Sequence, residues 1–302
     1  LCAMEPIIGE DDRVFATIKV TPDYKNILMF IENLKMKLGL NDEYDIQCGY
    51  EAGCLGYSLY NQLTAAGVKC VILAPTTMLT PQGVRIKTDM RDAYMIAQCL
   101  SYGGYHVVYI PTETDDSVKE YLRMRNDHKL ALKKIKQQIN AFCIRHGCCY
   151  DGTKWTLAHL KWLKKLEITN ELYRETLDEY MASYEEQETK IERYDKRIEE
   201  IAEQTKYHDK VKKLECFLGI KTHTALSLIV ETGDFERFAK GNQYAAYLGL
   251  APGENSSSDS IHRLGITKAG NSHLRQLLIE ASGGICKGAV GHKLSLIHIS
   301  EP

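Results

Sequence analysis

Nine positions between Glu171 and Gln204 constrain the fold more than any other feature of the chain. Tyr173, Leu177, Tyr180, Tyr184, Gln187, Ile191, Tyr194, Ile198 and Ile201 follow one another at alternating spacings of four and three. That is the coiled-coil period, and it predicts one long helix with a continuous seam. Its flanks are rich in Glu, Lys and Arg. Four tyrosines and a glutamine make the seam soft. Two pairings satisfy it: an antiparallel hairpin within the chain, or a helix of another subunit.

Before this helix the pattern alternates between strand and helix. Strand-like runs at Arg13–Val20, Tyr44–Tyr50, Val68–Leu73 and His106–Ile110 are interleaved with helical periodicity at Lys25–Leu38, Gly56–Ala66 and Asp89–Ser101. Gly67 stands where the second helix should stop, and Pro75 ends the third strand. Alternation of this kind predicts an α/β domain with a partly parallel sheet. Glu51 then lies at a strand end, next to Gly49 and Gly53. Asp89 and Asp92 leave one face of the helix that follows Lys87-Thr88. Three acids from a strand end and one helical turn form a candidate site for Mg²⁺, which takes a few carboxylates together with water and substrate phosphate. An Asp pair flanked by Lys87 and Arg91 also reads as a solvated helix start, favoured by the helix dipole.

Bulk properties narrow the class. The chain of 302 residues is long enough for two cores, and its net charge of −2 gives no global support for nucleic-acid binding. Any such case rests on local patches. Residues 119–165 hold twelve Lys/Arg against three Asp/Glu. Lys129, Lys133 and Lys136 fall near one helix face, and Lys154, Lys161, Lys164 and Lys165 flank Trp155 and Trp162. A basic stripe with aromatics suits a phosphate backbone, although a solvated face with core tryptophans has the same pattern. The ten cysteines form no CxxC pair, and adjacent Cys148 and Cys149 suit neither a mutual disulfide nor a zinc knuckle. Free thiols in a reducing cytoplasm are the expectation. No apolar run is long enough to span a membrane.

Past Val211 a compact helical module is expected. Leu214–Ile220 leads through Gly219 into a helix at Thr222–Glu231, and Tyr244–Gly249 is helical again. A helix–Gly turn–helix of this kind often sets backbone amides against phosphates. Ser256-Ser257-Ser258 follow Pro252-Gly253, and Arg263, Lys268 and Arg275 come after them. Three cations around one phosphate, with a serine placed to attack it, would suit phosphoryl chemistry; a flexible loop is the plainer reading.

These motifs come in a telling order. Tyr50-Glu51-Ala52-Gly53 is followed by Lys87-Thr88-Asp89-x-x-Asp92-Ala93 and the heptad spacer. Gly249-Leu250-x-Pro252, the serine cluster, Gly265-Ile266-x-Lys268-x-Gly270-Asn271 and Leu274-Arg275 complete the series. The chain thereby resembles the DEDD-type insertion-sequence transposases over about residues 1–290. That resemblance implies an α/β RNase H/RuvC-like N-terminal domain over residues 1–112, lacking its first strand. Basic helices and a coiled coil would follow at 113–210, then a small, mainly α, serine-bearing C-terminal domain at 211–293. Glu51, Asp89 and Asp92 match the second, third and fourth family acids, and the first would precede Leu1. The serine nucleophile matches Ser257 first and Ser256 second. The implied activity is DNA recombination through a phosphoserine intermediate. It would use Mg²⁺ and be guided by a structured bridge RNA, in a dimer or tetramer whose subunits complete one another's active site. Lys129, Lys133, Lys136, Arg263, Lys268 and Arg275 would hold RNA or DNA backbones. A metal-dependent nuclease cutting branched nucleic acid, and an inactive nucleic-acid-binding remnant, are the alternatives. Residues 294–302 resemble a translated sequencing adaptor and are expected to lie outside the fold.

Overall fold

A computed structural model describes residues 1–7, 11–39, 45–78, 88–256, 260 and 262–286. The chain divides into two compact units, Leu1–Ile110 and Pro111–Pro302.

The first unit is mixed α/β. Strand β1 (Cys2–Glu5) pairs antiparallel with β2 (Arg13–Thr17), with a bulge at Ala3/Met4. Helix α1 (Tyr24–Leu38) starts at Asp23, whose carboxylate accepts from the Lys25 N–H, and stops at left-handed Gly39. Strand β3 (Gln47–Glu51) then runs through α2 (Ser58–Ala65) into β4 (Lys69–Leu73), and the two strands pair in parallel. Helix α3 (Asp89–Tyr102) follows, capped by Thr88. Side-chain alternation along the strands fixes the layers. Cys48, Tyr50 and Cys70 pack with Ile27, Ile31, Leu59 and Leu63 of α1 and α2. Val71 and Leu73 pack with Cys99 and Leu100 of α3. The expected strand at 106–110 is only a bridge between Leu73 and Val107. It is held by Val108 N–H to Ile72 O (2.8 Å) and Ala74 N–H to His106 O (2.9 Å). Among the described residues the strands form separate two-stranded ladders.

The second unit is mostly helical. Helix α4 (Glu113–Arg145) would be about 50 Å long at 1.5 Å per residue. It is followed by α5 (Leu157–Lys165) and α6 (Glu171–Ala202). Helices α4 and α6 lie antiparallel: Arg125 meets Asp195, Lys136 meets Glu188, and Phe142 meets Tyr180 and Tyr173. The heptad seam is thus satisfied within the chain. Leu177, Tyr184, Tyr194, Ile198 and Ile201 are buried along it. The polar seam residue, Gln187, finds His128 Nδ1 at 2.8 Å. Trp155 and Trp162 pack on the core formed by Leu132, Ile139, Phe142, Leu163 and Leu177, so both tryptophans are structural.

Helices α7 (His208–Glu215), α8 (Thr222–Thr232) and α9 (Gly241–Tyr247) build the rest of this unit with strands β5 (Pro252–Glu254) and β6 (Arg263–Ile266) and helix α10 (Ser272–Cys286). Helix α8 is buried nearly all round, between Ile198, Ile201 and Val211 on one side and Leu248, Leu274 and Leu277 on the other. No helix among the described residues is long and apolar enough to cross a membrane.

Candidate active site

Glu51 closes β3 and is half-buried, and the next residue extends the ladder through Ala52 N–H to Leu73 O (2.9 Å). Thr88 caps α3 by accepting from the Arg91 N–H at 3.4 Å. This puts Asp89 and Asp92 in the helix's first turn, as their spacing predicts. Asp89 is almost fully exposed, 3.8 Å from an equally exposed Lys19, an ion pair worth little in water. Among the described residues no three His, Cys, Asp or Glu side chains gather to hold a metal ion. As placed, Glu51, Asp89 and Asp92 are therefore not gathered to hold a metal ion. Lys87 lies outside the described residues.

Sequence reasoning missed a different acid in this unit. Asp12 accepts hydrogen bonds from Gln98 Nε2 (2.8 Å), Tyr94 Oη (3.2 Å) and Tyr102 Oη, all on α3. The Tyr102 bond, with help from Gln98 and Tyr94, lowers its pKa below the usual carboxylate range. The spacing of Tyr94, Gln98 and Tyr102, four residues apart, was the available signal for a polar stripe on α3.

In the second unit β5 and β6 form an exposed antiparallel arm. The loop at its end carries the serine cluster. Asn255 N–H bonds His262 O at 2.9 Å, closing the loop. Ser256 is exposed, and its Oγ accepts from the His262 N–H at 3.2 Å. The His262 ring meets Ser260 Oγ at 2.9 Å through Nε2. Ser257 and Ser258 lie outside the described residues. Arg263 and Lys268 are exposed beside this loop in sequence, Arg263 at the start of β6 and Lys268 two residues past its end. Lys268 adopts a left-handed backbone (φ 56°), uncommon for a residue with a side chain. Such strain persists where the surroundings hold it, here through Lys268 N–H to Gly249 O at 3.0 Å.

The glycines of the motif explain themselves at this point. Gly249 (φ 69°) would set a Cβ 1.9 Å from Ala269 O, and Gly270 (φ 79°) would set one 1.9 Å from Tyr247 O. No side chain fits at either place. The segment before β5 and the segment after β6 therefore cross in contact, which fixes the base of the serine arm.

Arg275 reinforces this crossing. Its guanidinium donates to Leu248 O (2.8 Å) and Ala269 O (3.1 Å), so it clamps two backbone segments. Asn271 caps α10 by accepting from the Leu274 N–H at 3.1 Å. Its amide donates to Glu231 Oε2 at 2.8 Å. Glu231 is also gripped by both arms of Arg123, at 2.7 and 2.9 Å, and its side chain is only 4% exposed. One buried carboxylate on α8 thus ties α4 to the start of α10, a junction that sequence reasoning did not find.

The basic stripe of α4 is partly spent inside the fold. Lys136 donates to Glu188 (2.9 Å) and lies over the rings of Trp155 and Tyr184. Lys129 reaches Glu280 at 3.4 Å, Arg125 forks onto Asp195 and Lys164 pairs with Glu185. Lys133 is exposed. The structure brings Lys129 and Lys133 near α10, where the Gln276 hydrogen bond holds the Glu280 carboxyl below its usual range against the opposing effect of burial, and both lysines add to the lowering.

Comparison with known proteins places this second unit. Residues 211–287 match the transposase IS116/IS110/IS902 family. Over 218 residues the chain is 37% identical to the transposase for insertion sequence element IS1533 of Leptospira borgpetersenii, covering 71% of the chain and 62% of that protein. It is 33% identical over 234 residues to a Sinorhizobium fredii protein named as transposase y4qE, covering 77% of the chain and 57% of the relative. The transposase for element IS1111A of Coxiella burnetii is 26% identical over 231 residues, with 70% and 60% covered. The chain thus spans about three-fifths of the length of the relatives it matches. Its serine arm and the scaffold beneath it belong to the segment that matches the IS116/IS110/IS902 transposases, and the chain as a whole is similar to insertion-sequence transposases of that family.

Proposed function

We propose that this chain takes part in DNA transposition as a recombinase whose nucleophile is a serine of the 256–257 pair. One observation carries the reading: the family match covers the exposed serine arm, its glycine crossing and the cations beside it as a single segment. In the proposed step a serine Oγ attacks a DNA phosphorus atom. The bond from phosphorus to one sugar oxygen breaks, that oxygen takes up a proton, and the serine hydroxyl gives up its own. The phosphoserine ester keeps the bond energy for rejoining, which is the same step reversed. Arg263 and Lys268 would neutralise the phosphate, and preorganised charge of this kind lowers the barrier as the phosphoryl oxygens gain charge. Arg275 supports the step by holding the arm's base. Guidance by a structured RNA, a RuvC-like first unit and assembly into a dimer or tetramer belong to the same proposal, as does Mg²⁺, which Glu51, Asp89 and Asp92 would hold only once drawn together from where they lie.

The test is trapping of a covalent adduct on labelled element-end DNA with the full-length protein. Ser257→Ala or Ser256→Ala should abolish the adduct, and whichever does so names the nucleophile. Asp89→Asn and Asp92→Asn should abolish cleavage while leaving DNA binding intact. Hydrolysis that persists in the double serine variant would overturn the recombinase reading in favour of a nuclease using water.

A further inference from the structure

The C-terminal end of α4 carries a thiol cluster that the proposed transposition chemistry does not use. The helix stops in a Schellman motif: Cys148 N–H bonds Cys143 O at 2.9 Å and Gly147 N–H bonds Ile144 O at 3.2 Å, with Gly147 left-handed at φ 67°. In this motif the residue two places past the cap packs its side chain against the residue three places before it. That contact is usually between hydrophobic groups. Here the two positions are Cys148 and Cys143, and both belong to one apolar cluster. Main-chain atoms 2.9 Å apart bring the two Cα atoms near the window of roughly 4.4–6.8 Å that disulfide geometry requires.

Access is provided by a cavity of about 160 Å³ against this turn, lined by Cys143, Cys148, Cys149, Lys154, His159 and Trp162 among others. Cys149 is exposed, Cys148 half-buried and Cys143 buried. The His159 ring accepts the Trp155 N–H through Nδ1 at 3.1 Å, and burial together with nearby Lys154 keeps it neutral. Lys154 is thus the fixed positive charge beside the thiols.

We propose that this turn is a redox-modification site in which Cys143 and Cys148 form a disulfide in exchange with a low-molecular-weight disulfide such as oxidised glutathione. The Cys148 thiolate attacks one sulfur of the small disulfide and expels a glutathione thiolate. The Cys143 thiolate then attacks the Cys148 sulfur and expels the second. Two protein thiols are oxidised, one small disulfide is reduced to two thiols, and the protons released by the cysteines pass to the leaving thiolates. Burial, reinforced by Cys148, raises the Cys143 pKa, so the closing step speeds up as pH rises.

The intact chain incubated with oxidised glutathione and digested with trypsin tests this directly. Cleavage after Lys136, Arg145 and Lys154 puts Cys143 on one peptide and Cys148 with Cys149 on the next. A Cys143–Cys148 bond therefore appears as a cross-link between two peptides, while a Cys148–Cys149 bond stays within one. The cross-link should form in the native chain and in Cys149→Ser, and be lost in Cys148→Ser and in Cys143→Ala. Amide exchange across residues 143–150 should slow when the bond forms. A cross-link that survives Cys148→Ser but not Cys149→Ser, a bond confined to the second peptide, or glutathione adducts without any cross-link at alkaline pH would each overturn the proposal.

Discussion

The acids of the first unit and the serine arm of the second carry similar motif weight in the sequence, yet the structure treats them differently. Asp89 is exposed on the first turn of a helix, with a loose partner at 3.8 Å. The serine arm rests on residues that are almost all committed. Gly249 and Gly270 allow two backbones to cross, Arg275 clamps two carbonyl groups, and Asn271 both caps α10 and binds Glu231. The contrast separates motif residues that a fold needs from those that only chemistry needs. Changing the first kind should unfold the protein, and changing the second should silence it while it stays folded.

The largest effect tests the first half of that contrast. Gly249→Val or Gly270→Val would force a Cβ to 1.9 Å from a backbone oxygen at a left-handed φ. We expect a loss of about 3 kcal/mol or more, read as a lower denaturation midpoint for the second unit. A Gly270→Val chain as stable as the native one would show that the crossing is not structural.

Glu231→Gln comes next. It removes the charge that Arg123 grips. Breaking a buried pair costs about 3–5 kcal/mol, and Arg123 is nearly half exposed, so about 2 kcal/mol is expected in urea denaturation. A loss no larger than that of Lys129→Ala, whose partner Glu280 sits on the surface, would dissolve the proposed junction.

The pH response sharpens the picture of the same region. His223 and His273 both bury an Nε2 that has no hydrogen-bond partner. Burial pulls the His223 pKa down from 6.5 to about 4, helped by Arg125, and also lowers that of His273. Both rings are neutral in the fold. The unfolded chain takes up protons below pH 6.5 while the folded one does not. Stability is therefore full above that pH and is lost as pH falls toward about 4. The slope is on the order of one proton per residue and should flatten in His223→Leu, measured by melting at stepped pH. An unchanged slope would place the acid sensitivity elsewhere.

The smallest expected change is in the first unit. Asp89→Asn should shift stability by less than about 0.5 kcal/mol, because its partner Lys19 is as exposed as it is. A clear loss of melting temperature would turn Asp89 into a structural residue and erase the comparison.

Much of this was legible in the linear sequence. The heptad spacing gave the long helix within two residues of its end, because hydrophobic period is a local property. The helix at Asp89 was equally readable, since Thr88 is a strong cap and the acids favour a first turn. The expected strand at 106–110 shrank to a bridge, because ladder length depends on a partner that only folding supplies. The basic stripe was only partly legible for a related reason. The acids that answer Arg123, Arg125 and Lys136 lie 108, 70 and 52 residues away, invisible to any local count of charge. The cysteines show the same limit, since Cys143 and Cys148 become a pair only through the geometry of a helix stop.

The sequence by itself determined the periods, the caps and the order of the motifs, because each depends on neighbours a few residues apart. Tertiary structure alone decided that the seam closes on α4 of the same chain, that Arg275 holds backbone, and that Glu231 is the buried anchor beneath the serine arm. Each of those outcomes depends on which distant group removes a charge, a carbonyl or an apolar face from water. That competition is settled only when the whole chain has packed.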